Sequence, residues 1–315
     1  MDYASLIVVG SYKLSDPIVE RVFELKKKHN AIILAHNYQC GEIQDIADFV
    51  GDSLGLSQQA AKTDADLIVF CGVHFMAETA AILCPDKTVI MPDEHAGCPM
   101  AAMITARELR EKKKHYPNAK VVCYVNSTAA VKAESDVCCT SSNAMKIVSS
   151  IPENEDILFV PDKSLGAYVS SCLSRKMIFW DGYCPSHHRI LAEHLVKLKS
   201  EHPKAKVVVH PECTPDVISL ADHVASTTGI IKYASGNHTK EFIIGTEIGI
   251  LHRLRKENPD KSFIPVTPLS DCPNMKLNTL EKVLWSLEDL QYVITVPKEI
   301  AVKARQTIQR MLDLS

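Results

Sequence analysis

Ala31-Ile32-Ile33-Leu34-Ala35-His36-Asn37-Tyr38 is an apolar run that empties into polar residues. Two later stretches do the same. Val121-Val122-Cys123 leads into Tyr124-Val125-Asn126, and Val207-Val208-Val209 into His210-Pro211-Glu212. His36, Tyr124 and His210 stand 88 and 86 residues apart. A short apolar run rich in β-branched residues reads as a buried parallel strand, and the polar residues after it mark its carboxyl end. Two further registers keep the period. Cys98-Pro99, Cys184-Pro185 and Cys272-Pro273 are 86 and 88 residues apart, each following a strand-like run: Val89–Met91, Met177–Trp180 and Phe263–Val266. Gly51-Asp52-Ser53, Thr140-Ser141-Ser142 and Ser226-Thr227-Thr228 precede helix-like sequence, where hydroxyls serve as N-caps beside free backbone N–H groups. Three registers agreeing on 85 to 88 residues predict three copies of one unit.

Each unit reads as β-α-β-α-β. In the first, Asp16-Pro17 opens a helix with apolar Ile18, Val22, Phe23 and Leu25, closed by Lys26-Lys27-Lys28 at the negative end of its dipole. Strand 31–35, a helix over 43–62, strand Leu67–Cys71, a helix over 75–83 and strand 88–91 follow. Strands alternating with helices predict an α/β class with parallel sheets, whose ligand sites lie outside the carboxyl ends of the strands. The expected architecture is three Rossmann-like three-layer αβα domains over 1–100, 101–187 and 188–275. Pseudo-threefold symmetry would arrange them around a central cluster site. Asn278–Leu290 and Pro297–Leu314 read as amphipathic helices flanking a strand, Tyr292–Val296. This 276–315 tail is expected to pack back on a preceding domain and to carry no chemistry.

Composition narrows the function. The 315 residues are 46% hydrophobic and 23% charged, and 35 Lys plus Arg against 38 Asp plus Glu leave a net charge of −3. That balance offers no nucleic-acid or polybasic membrane surface. Met1–Gly10 lacks a basic n-region, and no apolar run approaches the roughly 20 residues that cross a bilayer. The expectation is a cytoplasmic protein. Its eleven cysteines include no C-x-x-C pair, and a reducing cytosol disfavours structural disulfides. Cys71, Cys123 and Cys213 read as small buried apolar residues, and Cys138-Cys139 as a buried structural pair.

Three cysteines converging from three units can hold three irons of a [4Fe-4S] cluster and leave the fourth iron open as a Lewis acid. Zinc is the competing metal, but no H-E-x-x-H motif is present. Around such a centre the strand ends bring His36, Tyr38, Tyr124, Asn126, His210 and Glu212, with Ser53, Ser141 and Thr227 at helix starts and His187 just after Cys184. Imidazoles and neutral donors beside helix N-termini suit a substrate bearing carboxylates or phosphate.

Ala35-His36-Asn37-Tyr38-Gln39, Gly51-Asp52-Ser53-Leu54, Gly97-Cys98-Pro99-Met100-Ala101, Tyr124-Val125-Asn126-Ser127, Cys139-Thr140-Ser141-Ser142-Asn143-Ala144, Cys184-Pro185-Ser186-His187-His188-Arg189 and His210-Pro211-Glu212-Cys213 occur in this order. Together they resemble the quinolinate synthase family, from about Asp16 to Leu312. The resemblance implies condensation of iminoaspartate with dihydroxyacetone phosphate to quinolinate, phosphate and water, in NAD biosynthesis. It implies Cys98, Cys184 and Cys272 as ligands of the [4Fe-4S] cluster. His36, Ser53, Tyr124, Asn126, Ser141, His210, Glu212 and Thr227 would line the substrate site. Tyr38 and Glu212 would lead proton transfer, with His36 and His187 beside them. It also implies functional coupling to an enzyme that produces iminoaspartate. The same plan resembles diphthamide synthase and the terminal reductase of the non-mevalonate isoprenoid pathway. The His-Asn-Tyr and His-Pro-Glu triplets favour the dicarboxylate chemistry over both, and over a non-enzymatic metal or anion sensor.

Overall fold

The computed structural model describes residues 17–315; Met1–Gly10 and the capping residue Asp16 lie outside the described residues. The first unit runs α1 (Pro17–Lys28), β1 (Ala31–His36), α2 (Gly41–Ile46), β2 (Phe49–Gly51), α3 (Ser53–Lys62), β3 (Leu67–Cys71), α4 (His74–Leu83) and β4 (Thr88–Ile90). The second runs α5 (Ala106–His115), β5 (Lys120–Tyr124), α6 (Ala129–Ala133), β6 (Val137–Cys139), α7 (Ala144–Ser149), β7 (Ile157–Val160), α8 (Lys163–Leu173) and β8 (Ile178–Phe179). The third, after α9 (Pro185–His188), runs α10 (Ala192–Glu201), β9 (Lys206–Val209), α11 (Pro215–Ser219), β10 (His223–Val224), α12 (Thr227–Gly236), β11 (Glu241–Gly245), α13 (Ile250–Glu257) and β12 (Ser262–Pro265).

Among the described residues the result is an α/β fold with three four-stranded sheets in the orders β2-β1-β3-β4, β6-β5-β7-β8 and β10-β9-β11-β12. Every strand pairing within them is parallel. Strands covered on both faces by helices read as continuous apolar runs. Accordingly all of Leu67–Cys71 and Ile157–Val160 is buried.

Each sheet has one strand more than the sequence predicts. The helix expected over 43–62 is two helices, α2 and α3, with β2 between them. The reason is Asp48. Its carboxylate accepts the Ile33 N–H (2.8 Å), and its own N–H donates to the Ile33 carbonyl, which pins the chain beside β1 and ends any helix there. Asp136 grips Val121 in the same double fashion, and Asp222 grips Val207. These aspartates stand 88 and 86 residues apart. The extra strand matters for function because its carboxyl end carries the hydroxyl register to the same sheet edge as His36, Tyr124 and His210. The second unit departs slightly. Its helix α7 starts only after Asn143, so Thr140-Ser141-Ser142 form a turn and do not cap it.

Two local expectations also change. The buried stripe of α1 is Val19, Val22 and Leu25, while Phe23 faces outward. No strand forms over Tyr292–Val296. That segment lies antiparallel along β4 with one bridge, Ile90 to Val293, and backbone hydrogen bonds joining Met91 with Tyr292 and Val89 with Ile294. Of the tail helices, α14 (Leu280–Asp289) packs on α1, and α15 (Lys298–Asp313) packs on α6, β6 and α4.

Candidate functional site

The carboxyl ends of the central strands β1, β5 and β9 face a cavity with about 650 Å³ of empty space. Its walls include His36, Tyr38, Ser53, Cys98, Tyr124, Asn126, Ser141, Cys184, His187, His210, Glu212, Thr227 and Cys272. Every residue singled out in the sequence therefore reaches one space. His188, next to His187, turns away; its Nε2 meets Ser164 Oγ (2.9 Å) and its ring stacks on Tyr183.

The histidines are oriented by the backbone. His36 Nδ1 accepts the N–H of Tyr38 (3.2 Å), and His210 Nδ1 accepts that of Glu212 (3.3 Å). An imidazole accepting at Nδ1 carries its proton on Nε2. His210 points that nitrogen at Ser141 Oγ, 3.1 Å away. Burial lowers both rings, His36 to about 4 and His210 to about 3, so at neutral pH both are uncharged donors.

Glu212 is a buried anion of the cavity. Burial alone would raise its pKa. The facing His187 and His210 and the Tyr124 hydroxyl overcome that and hold it well below the usual carboxylate range. Tyr124 Oη donates to Glu212 Oε1 at 2.5 Å, and His187 Nδ1 lies 2.7 Å from Oε2. His187 stacks on His210 and its Nδ1 is 3.1 Å from Cys184 Sγ. Burial, followed by the charge of Glu212, raises both Tyr38 and Tyr124 well above the ordinary phenol value, so both keep their protons. Thr227 Oγ1 accepts from Asn37 Nδ2 (2.9 Å), which leaves its own proton for another acceptor. The Oδ1 of Asn126 is buried with no protein partner.

The Quinolinate synthetase A protein family matches residues 20–313. The quinolinate synthase of Methanosarcina barkeri (strain Fusaro / DSM 804) is 57% identical over 295 residues, covering 94% of this chain and 97% of the relative. That of Dehalococcoides mccartyi (strain CBDB1) is 60% identical with the same coverage, and that of Geotalea uraniireducens (strain Rf4) 56% over 95% and 98%. This chain belongs to the quinolinate synthase family. Among solved structures, the E-1-hydroxy-2-methyl-but-2-enyl-4-diphosphate reductase from Plasmodium falciparum covers 90% of this chain and 86% of that one, at a TM-score of 0.29 and 11% identity. That likeness is too slight to bear on the fold.

For a quinolinate synthase family member the cysteines suit an iron–sulfur cluster. Cys98, Cys184 and Cys272 are free thiols on the cavity wall, and burial raises all three, Cys98 to about 12. Thiols so desolvated ionise when a cation binds them. Among the described residues, the one group close enough to share a single ion is Cys184, His187 and Glu212, with ligand atoms within 4.8 Å. Cys98, Cys184 and Cys272 do not meet that spacing together. Within that group His187 Nδ1 and Glu212 Oε2 meet at 2.7 Å. Cys84, the fourth Cys-Pro cysteine, is spent on the Ala60 carbonyl (3.0 Å).

Asp52 and Glu247 on the wall, and Thr246 beside Glu247, escape the sequence argument. Asp52 caps α3 through Gly55 N–H and accepts from Ser142 Oγ (2.6 Å), tying the first unit to the second. Thr246 and Glu247 follow the apolar run of β11, the kind of position at which His36 was found. Reading the β3, β7 and β11 runs in register would have exposed them. Glu247 is fully buried. Its carboxylate accepts the N–H groups of Cys272 (2.9 Å) and Gly249 (2.7 Å) and pairs with Lys276 (2.8 Å). Lys276 also donates to the Tyr38 carbonyl, so this ion pair fixes the Cys272 loop against the first unit.

Proposed function

We propose that this chain is a cytoplasmic quinolinate synthase of NAD biosynthesis, joining iminoaspartate to dihydroxyacetone phosphate with release of quinolinate, phosphate and water. Cys98, Cys184 and Cys272 would hold a [4Fe-4S] cluster. The observation that carries the reading is one Cys-Pro cysteine from each unit meeting neutral imidazoles, hydroxyls and a buried carboxylate in a single cavity. We take the units as domains 1–100, 101–187 and 188–275 about a pseudo-threefold axis, with support from the equivalent strand orders and the repeated Asp48, Asp136 and Asp222 contacts.

An open iron of the bound cluster would polarise a substrate hydroxyl or carbonyl. The rest falls to the chain. His36 offers Nε2–H, and Ser53, Ser141 and Thr227 offer hydroxyls, to carboxylates and phosphate without bringing a competing cation. Asn126 Oδ1 accepts a substrate N–H or O–H, which would end its isolation in the ligand-free site. Dehydration needs a proton delivered to a departing hydroxide, and ring closure needs one removed near nitrogen. Tyr38, a protonated phenol, suits delivery. Glu212, an ionised carboxylate backed by His187 and Tyr124, suits removal.

The test is anaerobic assay of the purified protein with both substrates and no reductant or S-adenosylmethionine. Quinolinate and phosphate in equal amounts, from protein containing iron and labile sulfide, support the reading. A strict need for reductant, or zinc in place of iron and sulfide, would overturn it.

A further inference from the structure

Asn37 follows the last residue of β1, is fully buried, and has no part in the chemistry just proposed. Its amide stands between two residues of the third unit. Arg253, on α13, donates from Nη1 to Asn37 Oδ1 (3.0 Å), and Asn37 Nδ2 donates to Thr227 Oγ1 (2.9 Å) at the start of α12. The guanidinium is fixed in turn. Its Nε donates to Glu257 Oε1 (2.6 Å) one helical turn on, and Nη1 also reaches the Val50 carbonyl (2.7 Å). The backbone of Asn37 is held as well, since its N–H donates to the Gly51 carbonyl (3.0 Å) and its carbonyl accepts from Gln44 Nε2 (3.2 Å).

The two ends of a side-chain amide have nearly the same shape, so its neighbours decide which way it faces. A guanidinium only donates. Asn37 must therefore offer Oδ1 to Arg253, which leaves Nδ2 for Thr227. A hydroxyl that accepts from an amide keeps its one proton, and among the described residues no protein group takes the proton of Thr227. Thr227 lines the cavity, so that proton is free for a carboxylate or phosphate there. With the amide turned round, Thr227 would donate to Oδ1 and meet an anion with lone pairs alone. His210 leaves Ser141 in the same state, because its Nε2–H donates to Ser141 Oγ (3.1 Å). We infer that Asn37, turned by Arg253, is a positioning residue that makes the Thr227 hydroxyl an obligate donor to an anionic group of the substrate. The inference deepens the proposed function and rests on it. Asn37 belongs to the first unit and both its partners to the third, so this donor is set only where the two units meet.

Calorimetric titration of the anaerobically purified enzyme with phthalate, an aromatic 1,2-dicarboxylate that cannot react, tests it beside steady-state kinetics. Asn37→Asp keeps the shape and the Arg253 contact, but its ionised carboxylate only accepts, so Thr227 must donate to it. Phthalate affinity should fall about tenfold to a hundredfold, the scale of one charge-assisted hydrogen bond, and KM should rise with kcat little changed. Thr227→Val should lose as much. The double variant should bind no more weakly than Thr227→Val alone, whereas simple repulsion by the new carboxylate would add a further loss. Arg253→Met frees the amide to face either way. Affinity should then fall about twofold to threefold, and not at all in the Thr227→Val background. Wild-type affinity in Asn37→Asp or in Arg253→Met, losses that multiply in either double variant, or no binding of phthalate by the wild type would each overturn the assignment. Phthalate binding does not need turnover, so the expected pattern in an enzyme that forms no quinolinate would reject the reaction assignment and leave the role of Asn37 standing.

Discussion

The first and third units end their central strands alike, and the second does not. β1 ends on His36 and β9 runs directly into His210, and the Nδ1 of each takes the N–H two residues on, so both present a neutral Nε2–H to the cavity. β5 finishes on Tyr124, whose proton goes across the cavity to Glu212. At the next outward position the three units carry Tyr38, Asn126 and Glu212: a phenol, an amide and an ionised carboxylate. The backbone beneath them is the same, down to the aspartate that clasps each central strand. A repeated scaffold thus delivers side chains to equivalent places, and substitution at those places divides the work. The amide in the second unit has no acid–base chemistry, so under the proposed function it would hold substrate while its counterparts move protons.

The largest expected effect concerns the Cys-Pro cysteine that each of the three units carries. Cys98→Ser, Cys184→Ser or Cys272→Ser should each remove bound iron and reduce quinolinate formation to background. Cys84→Ser, off the period and outside the cavity, should keep both. Metal analysis and anaerobic assay decide it, and a full iron complement in any of the three variants breaks the equivalence.

Next comes the divergence at the outward position. Glu212→Gln should lower kcat by about 10²–10⁴-fold with KM little changed. Asn126→Ala should instead act mainly on KM, because under the proposed function the amide would contact substrate before and during reaction alike. Equal kcat losses in the two variants would erase the distinction between the units.

A third test uses the paired histidines. Folding lowers His36 to about 4 and His210 to about 3 from an ordinary 6.5, so between those values and 6.5 the unfolded chain binds more protons. Their stability contribution is complete above 6.5 and is lost as pH falls, by on the order of 3 kcal/mol for His36. Urea unfolding of wild type at pH values from 7 downward, against His36→Asn, should show the variant with the shallower slope. Identical slopes would mean that the ring is not held neutral.

The smallest effect should come from the shared clasp. Asp48→Ala, Asp136→Ala and Asp222→Ala each remove a partly exposed carboxylate that accepts a backbone N–H, at a cost of about 1 kcal/mol. Three similar losses in unfolding midpoint would sharpen the equivalence of the scaffolds. One loss far above the others would mark the unit that the rest depend on.

Periodicity made the central strands and their polar ends legible, because buried parallel strands are apolar throughout and stop where they meet a cavity. The clasped edge strands were not legible. Phe49–Gly51 and His223–Val224 are too short to show a period, and Asp48 and Asp222 read locally as helix or loop. Their strand state depends on N–H and C=O groups fifteen residues upstream.

By itself, the sequence determined the three-unit α/β plan, the three cysteines, and the ring of histidines, hydroxyls and Glu212, because each of these repeats along the chain at one spacing. Only the tertiary structure decided which atoms meet. The His187 contacts to Glu212 and Thr246, the Glu247–Lys276 pair behind Cys272, and the Asp52 bridge to Ser142 join different units or distant loops. Hydrogen bonds are settled by ångström distances in a closed cavity, and no spacing along a chain encodes those.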